Sequence, residues 1–145
     1  MEQNAQSNPL AGLHKQKLYS LIIAAVGIIS CLLPWWHVSF GTFGGYSING
    51  LHRLGIITFI AFIAAAVVPF VIGNKSLPYM GQEKTISMAC FGGAAGFAVI
   101  TLLANMHYLS FGIFLAIAVG VIGLLLLMGK ISVPKSIDDK INKIN

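Results

Sequence analysis

Four long runs of apolar residues, each free of charged side chains and of histidine, constrain this chain more than any other feature. They cover residues 18–36, 54–73, 86–104 and 109–129. A helix needs about 20 such residues to cross a hydrocarbon core about 30 Å thick. Lipid offers no hydrogen-bond partner to open backbone, so such runs must be helical. The sequence therefore predicts an all-α integral membrane protein, a bundle of four transmembrane helices.

The composition indicates the same class. Of the 145 residues, 57% are hydrophobic and 9% are charged, whereas soluble domains have about 25% charged residues. A soluble domain of this length could not cover so much apolar surface. The net charge of +5 comes from a few basic residues beside the apolar runs. We attribute these basic residues to the orientation of the chain in the membrane and to contact with anionic lipid. We therefore expect no nucleic-acid partner.

The basic residues predict the orientation of the helices. With four crossings, eight lysines fall on one side and only Arg53 on the other. Because lysine-rich segments stay in the cytoplasm, we expect segments 1–17, 74–85 and 130–145 to be cytoplasmic. The eight residues are Lys15, Lys17, Lys75, Lys84, Lys130, Lys135, Lys140 and Lys143.

The opposite, outer side then comprises a loop over residues 37–53 and a short turn over 105–108. The loop alternates apolar and polar residues around a glycine-rich centre, which predicts a small β-hairpin. An isolated hairpin is only marginally stable, so we expect it to pack onto the bundle or onto a partner.

Two short helices are predicted on the cytoplasmic side. Asn8 and Pro9 suit the start of a lead-in helix. In the tail, Ser136 is followed three residues later by Asp139, the spacing of a capping box, which predicts a short amphipathic helix. A frayed tail is the alternative, because so short a helix is marginal in water.

Small residues recur at four-residue spacing in the third and fourth runs. This spacing lets helix backbones approach closely, which is a main source of helix association in lipid. The simpler interpretation is packing within the bundle, and the alternative is that one such face docks another subunit. The predicted interface residues are Ala89, Gly92, Gly93, Gly96, Gly112, Ala116, Gly120 and Gly123.

Aromatic and basic side chains gather at the predicted outer end. Three histidines there could bind a metal or haem, but their spacing matches no metal motif and no carboxylate accompanies them. We therefore expect no metal and no cofactor. The tryptophans suit an aromatic belt, with ligand stacking as the alternative. The candidate ligand or partner contacts are Trp35, Trp36, His37, His52, Arg53 and His107.

The residue types argue against an enzyme. No nucleophile–base pair or phosphate loop is recognisable, and no ionisable group lies in the four runs, which disfavours a proton-coupled pump or a voltage sensor. The leading hypothesis is a non-enzymatic accessory or assembly subunit that binds other membrane subunits or itself. The alternatives are a homo-oligomeric transporter, channel or lipid-binding protein for a neutral solute or lipid, and a membrane-resident immunity or inhibitor protein.

The plan of the chain resembles that of claudin-type four-span proteins. Trp36 followed by Gly50-Leu51 is similar to their first-loop Trp…Gly-Leu-Trp, but His52 replaces the last tryptophan and the loop has no cysteine pair. The resemblance implies a shared topology only, and the family's adhesion and pore functions are not carried over to this chain. The segments 33–36 and 47–50 are also similar to small bacterial membrane proteins, which implies the bacterial cytoplasmic (inner) membrane and no particular activity.

Overall fold

A computed structural model describes residue 10, residues 12–132 and residues 134–143. It is 65% helix and contains five helices and one two-stranded antiparallel hairpin, so the prediction of a helical chain with a hairpin is confirmed. In chain order the elements are α1 (Lys15–Leu32), β1 (Pro34–Ser39), a 3-10 turn (Gly41–Phe43), β2 (Gly45–Asn49), α2 (Gly55–Val71), α3 (Gly81–Ala104), α4 (Phe111–Leu127) and α5 (Lys135–Asn142).

The helices α1 to α4 form a closed ring of neighbours. Each packs against the helices before and after it in the chain, and α4 closes the ring against α1. The centre is filled by apolar side chains, with the rings of Phe62 and Phe91 meeting edge to face at a centroid distance of 6.3 Å. This is the neighbour pattern of an up-and-down four-helix bundle.

The helices differ in length. Helices α1 and α3, with 18 and 24 residues, are long and apolar enough to cross a membrane. Helices α2 and α4 are also apolar, but each has 17 residues, which is about 26 Å at the usual rise per residue. The structure thus contains two candidate spans by length and composition, and the prediction of four spans stays a prediction.

The helix ends differ from the predicted segments. Helix α1 ends at Leu32 rather than at Trp36, because Pro34 has no backbone N–H and the residue before a proline avoids the helical region. Leu33 is accordingly extended, and residues 34–36 belong to β1. Helix α3 begins at Gly81, five residues before the predicted start, so it includes Glu83 and Lys84. Helices α2 and α4 are shorter than predicted at both ends.

The hairpin packs onto the bundle. In the register of β1 and β2, His37 lies opposite Ser47 and Val38 opposite Tyr46. The outer edge of β1 bonds to the connection between α3 and α4: His37 N–H donates to the Tyr108 carbonyl at 3.0 Å, and Ser110 N–H donates to the Trp35 carbonyl at 2.9 Å. The hairpin is therefore an ordered cap on one end of the bundle.

The tail contains the predicted short helix, although not the predicted cap. Helix α5 begins at Lys135, so Ser136 lies inside its first turn instead of at the N-cap position. Asp138 of α5 pairs with Lys15 at 3.4 Å, which places α5 beside the start of α1. The lead-in helix expected at Asn8 and Pro9 falls outside the described residues.

The small residues separate into two groups. Those of α4 pack inward: a Cβ at Gly120 would lie 2.9 Å from the Ala95 Cβ, one at Gly123 would meet the Phe91 ring, and one at Gly112 would lie 2.7 Å from the Pro34 carbonyl oxygen. Ala116 of α4 is buried as well.

On α3 most of the predicted residues point outward. A Cβ at Gly93 or Gly96 would have no atom of another segment within 4 Å, and Ala89 is exposed. Gly92 is intermediate, with the Leu124 side chain 3.7 Å from its Cβ position. The face of α3 that packs inward carries Ala94 and Ala98 instead.

We expect Gly120→Ala and Gly96→Ala to have opposite effects. The first places a methyl group against Ala95 and the backbone of Phe91, which should lower the free energy of unfolding by about 1–3 kcal/mol. The second adds a methyl group in open space and should be neutral or stabilising by up to about 1 kcal/mol, because alanine favours helix over glycine. Unfolding in maltoside micelles, followed by tryptophan fluorescence, measures both. Equal effects of the two substitutions would contradict the inward and outward assignment.

Candidate functional site

A pocket of about 310 Å³ opens at the hairpin end of the bundle. Its walls come from strand β1, strand β2, the turn before α2, and the end of α3 with the connection to α4. We call it the outer pocket, and it is lined by Trp36, Val38, Ile48, His52, Arg53, Ala104, Asn105, His107 and Tyr108. Its volume lies at the small end of the range for pockets that hold small molecules.

The two tryptophans have different roles at this end. Trp35 is completely buried, and its Nε1 donates to the Ser30 carbonyl at 2.9 Å. It fills the space between α1, α4 and the turn after β2, where a Cβ on Gly50 would collide with its ring. Trp35 is therefore a packing residue and not a free ligand contact.

Trp36 instead lines the outer pocket. Its side chain is only 8% exposed, yet its Nε1 has no hydrogen-bond partner in the part of the chain that the structure describes. A buried donor without an acceptor costs about 1–3 kcal/mol. Buried polar groups in native proteins nearly always have a hydrogen-bond partner, so this donor calls for an explanation.

Arg53 lies at the mouth of the same pocket and is exposed. Its φ of 53° makes it the one non-glycine residue with a positive φ among the described residues. This conformation costs on the order of 1–2 kcal/mol in a residue with a side chain. The chain's four acidic residues, Glu2, Glu83, Asp138 and Asp139, all lie in segments far from this loop in sequence. Of the three that the structure describes, Glu83, Asp138 and Asp139, none lines the pocket.

The three outer histidines do not converge. His52 and His107 line the outer pocket, whereas His37 is exposed on β1, opposite Ser47, and is not part of the lining. Within residues 10, 12–132 and 134–143, no group of three His, Cys, Asp or Glu side chains is placed to hold a metal ion. The structure thus brings together Trp36, Arg53 and two of the predicted histidines.

A second polar cluster lies at the opposite end of the bundle, and the sequence did not reveal it. The Lys17 side chain is completely buried and Glu83 is 5% exposed. The Lys17 Nζ lies 2.5 Å from the Glu83 Oε1 and donates to the Asn74 carbonyl at 2.8 Å. A Cβ on Gly73, whose φ is 79°, would collide with the Glu83 carboxylate. The glycine therefore gives the ion pair room.

Tyr79 completes this inner cluster. Its ring lies 5.4 Å from the Lys17 Nζ, and its hydroxyl is 2.6 Å from the Ser20 hydroxyl, which in turn donates to the Lys17 carbonyl. Burial raises the pKa of Tyr79, and the hydrogen bond to Ser20 opposes part of that rise. The neutral phenol is thus favoured beside the Glu83 carboxylate, and the cluster has the bonding of a structural ion pair.

His14 caps the helix that carries Lys17. Its side chain accepts a hydrogen bond from the Gln16 N–H at 3.2 Å. Burial lowers the pKa of His14, and the neighbouring Lys15 and Lys17 cations lower it further. Both effects favour the neutral ring, the state in which its nitrogen can accept this bond.

Comparisons with known proteins add no relationship to this picture. No family model matches the chain, and neither a curated protein nor a solved structure matches it. The resemblance to claudin-type proteins therefore depends on the sequence features alone.

The inner ion pair predicts a large cost when one partner is removed. We expect Lys17→Met to lower the free energy of unfolding by about 3–5 kcal/mol, because it leaves the Glu83 carboxylate buried and unpaired. The double variant Lys17→Met/Glu83→Met should recover most of that loss, because two buried apolar side chains need neither an opposite charge nor a hydrogen bond.

The matched control is Lys15→Met, which removes an exposed lysine from the same turn of α1. Its ion pair with Asp138 is at the surface, so the expected loss is at most about 1 kcal/mol. Denaturant unfolding in maltoside micelles compares all four proteins. A loss no larger for Lys17→Met than for Lys15→Met would contradict the buried pair.

Proposed function

We propose that this chain is a four-span integral membrane protein of the bacterial cytoplasmic membrane, with both ends in the cytoplasm, that works as an accessory or assembly subunit of a larger membrane complex. Its partners are other membrane subunits or a second copy of itself. The observation that carries the subunit role is the outward small-residue face of α3, on which nothing in the described chain packs.

The distribution of exposed apolar side chains supports the membrane location. Each of the four bundle helices exposes large apolar residues around its outside, including Ile29 on α1, Ile60 on α2, Ile100 on α3 and Phe114 on α4. Water would disfavour so continuous an apolar surface, whereas hydrocarbon does not. The 17 residues of α2 and α4 are at the short end of what a crossing needs, which local thinning of the bilayer accommodates.

The outward face of α3 carries small residues that would let another helix pack closely. We call this proposed docking surface the groove: Ala89, Gly93 and Gly96 form its floor, and the exposed side chains of Ile100 and Leu103 continue the same side of the helix. In lipid, such small-residue floors gain stability from close backbone packing with another helix. The inward face of α3 already packs through Ala94 and Ala98. The bundle therefore does not use the small residues of the outward face for its own packing.

The bonding of three buried hydroxyls supports a non-enzymatic role. Ser30 donates to the Gly27 carbonyl at 2.6 Å, Thr101 donates to the Phe97 carbonyl at 2.8 Å, and Thr58 donates across the α2–α3 interface to the Ala94 carbonyl at 3.5 Å. A catalytic hydroxyl needs a neighbouring base. These three donate to backbone carbonyls instead, which is structural bonding.

We expect the double variant Gly93→Leu/Gly96→Leu to lose its association with partner chains while remaining folded. Two leucine side chains fill the floor of the groove and keep a second helix from approaching, so the complex should weaken at least about tenfold. The matched control, Val67→Phe, adds bulk to the exposed face of α2.

Extraction in mild detergent, followed by mass spectrometry of copurified chains and by light scattering of the complex, measures this. The wild type and Val67→Phe should carry a companion chain or a second copy, and the glycine double variant should be monomeric. A wild type that is a clean monomer, or a double variant that keeps its companion, would contradict the subunit role.

A further inference from the structure

We propose that the outer pocket binds the phosphate head group of an anionic lipid, with the head group between Trp36 and Arg53 and the acyl chains along the exposed ends of α2 and α3. The inference uses the membrane location proposed above, but it is independent of the subunit role.

The unpartnered Trp36 Nε1 is the first reason to propose a ligand, one that accepts a hydrogen bond from the indole. Indole can only donate a hydrogen bond, and the described chain supplies no acceptor for this one. The other buried indole, that of Trp35, has the Ser30 carbonyl. The fold therefore satisfies one of two neighbouring indoles and leaves the buried Nε1 of the other, on a residue that lines the pocket, without an acceptor in the described chain.

The positive charge of Arg53 favours an anion over other ligands that accept hydrogen bonds. Arg53 brings the one lysine or arginine charge to the predicted outer side of the chain, and no carboxylate of the described residues lines the pocket to neutralise it. The guanidinium fork matches the geometry of phosphate oxygens and can bind them through two bonds. Its positive φ points to a local conformation held at some cost at the pocket mouth.

The apolar residues that line the outer pocket favour an anion that also has an apolar part. Val38, Ile48 and Ala104 line the pocket beside its polar groups. Leu54 and Leu103, each adjacent in sequence to a lining residue, expose their side chains at the ends of α2 and α3. A volume of about 310 Å³ suits a head group and the first part of a chain rather than a whole lipid, so the remaining hydrocarbon lies along the bundle.

The test uses the two tryptophans as separate reporters. The full chain is labelled with ¹⁵N at the indole nitrogens in maltoside micelles, which contain no phosphate, and Trp36→Phe assigns the two signals. Phosphatidylglycerol is then added in increasing mole fraction. We expect the Trp36 indole proton to move downfield and to saturate, while the Trp35 signal, already hydrogen-bonded to Ser30, stays in place.

Variants and other ligands make the test specific. In Arg53→Gln the mole fraction of phosphatidylglycerol that gives half of the full shift should rise at least about tenfold. This is the size expected for a lost hydrogen bond to a charged group. Lys130→Gln, which removes an exposed charge at the other end, should match the wild type, and Arg53→Lys should lie between the two.

Three results with the wild-type chain alone would overturn the proposal, so it does not depend on the folding of any variant. The first is no saturable shift of the Trp36 signal. The second is an equal shift with phosphatidylcholine, which would mean that the anionic charge is not recognised. The third is the full shift with inorganic phosphate alone, which would mean a free oxyanion site. None of them depends on whether a companion chain copurifies.

Discussion

One buried ion pair holds the helices together at the end of the bundle opposite the hairpin. Lys17 and Glu83 lie on α1 and α3, two helices that are not neighbours in the ring of contacts, so the pair joins opposite members of the bundle. Removing both charges from water costs several kcal/mol for each ion unless they are paired and hydrogen-bonded. The Asn74 carbonyl, the Tyr79 ring and the space left by Gly73 provide that environment. The loop between α2 and α3 is thereby fixed along with both helices.

The outer end is fixed by packing instead of charge. Trp35 occupies the centre of this end, and Gly50 and Gly112 are the neighbours that give its ring and backbone room. Strand β1 is held to the connection between α3 and α4, and its residue Trp36 lines the same pocket as Arg53. The outer pocket is the space left between an ordered cap and the bundle.

Local patterns predicted the elements but not their partners. Hydropathy runs gave the helices, and alternation around glycines gave the hairpin, because both are periodicities within one segment. The ion pair of Lys17 with Glu83 joins segments far apart in sequence, and so does the pocket that Trp36 and His107 both line. No spacing encodes either of them. The small-residue pattern was ambiguous because both faces of α3 carry it. Only tertiary packing decides that Ala94 faces inward and Gly96 outward.

The central claim is that four helices cross the membrane, and the location of four single cysteines tests it most directly. Each is introduced into a Cys31→Ala/Cys90→Ala background and labelled with an impermeant maleimide on intact and permeabilised cells. The positions, all exposed, are Ser47, Ser76, Met106 and Ser132. We expect the first and third to label on intact cells and the second and fourth only after permeabilisation. Labelling of Ser76→Cys from the same side as Ser47→Cys would show that α2 does not cross, and would contradict the account.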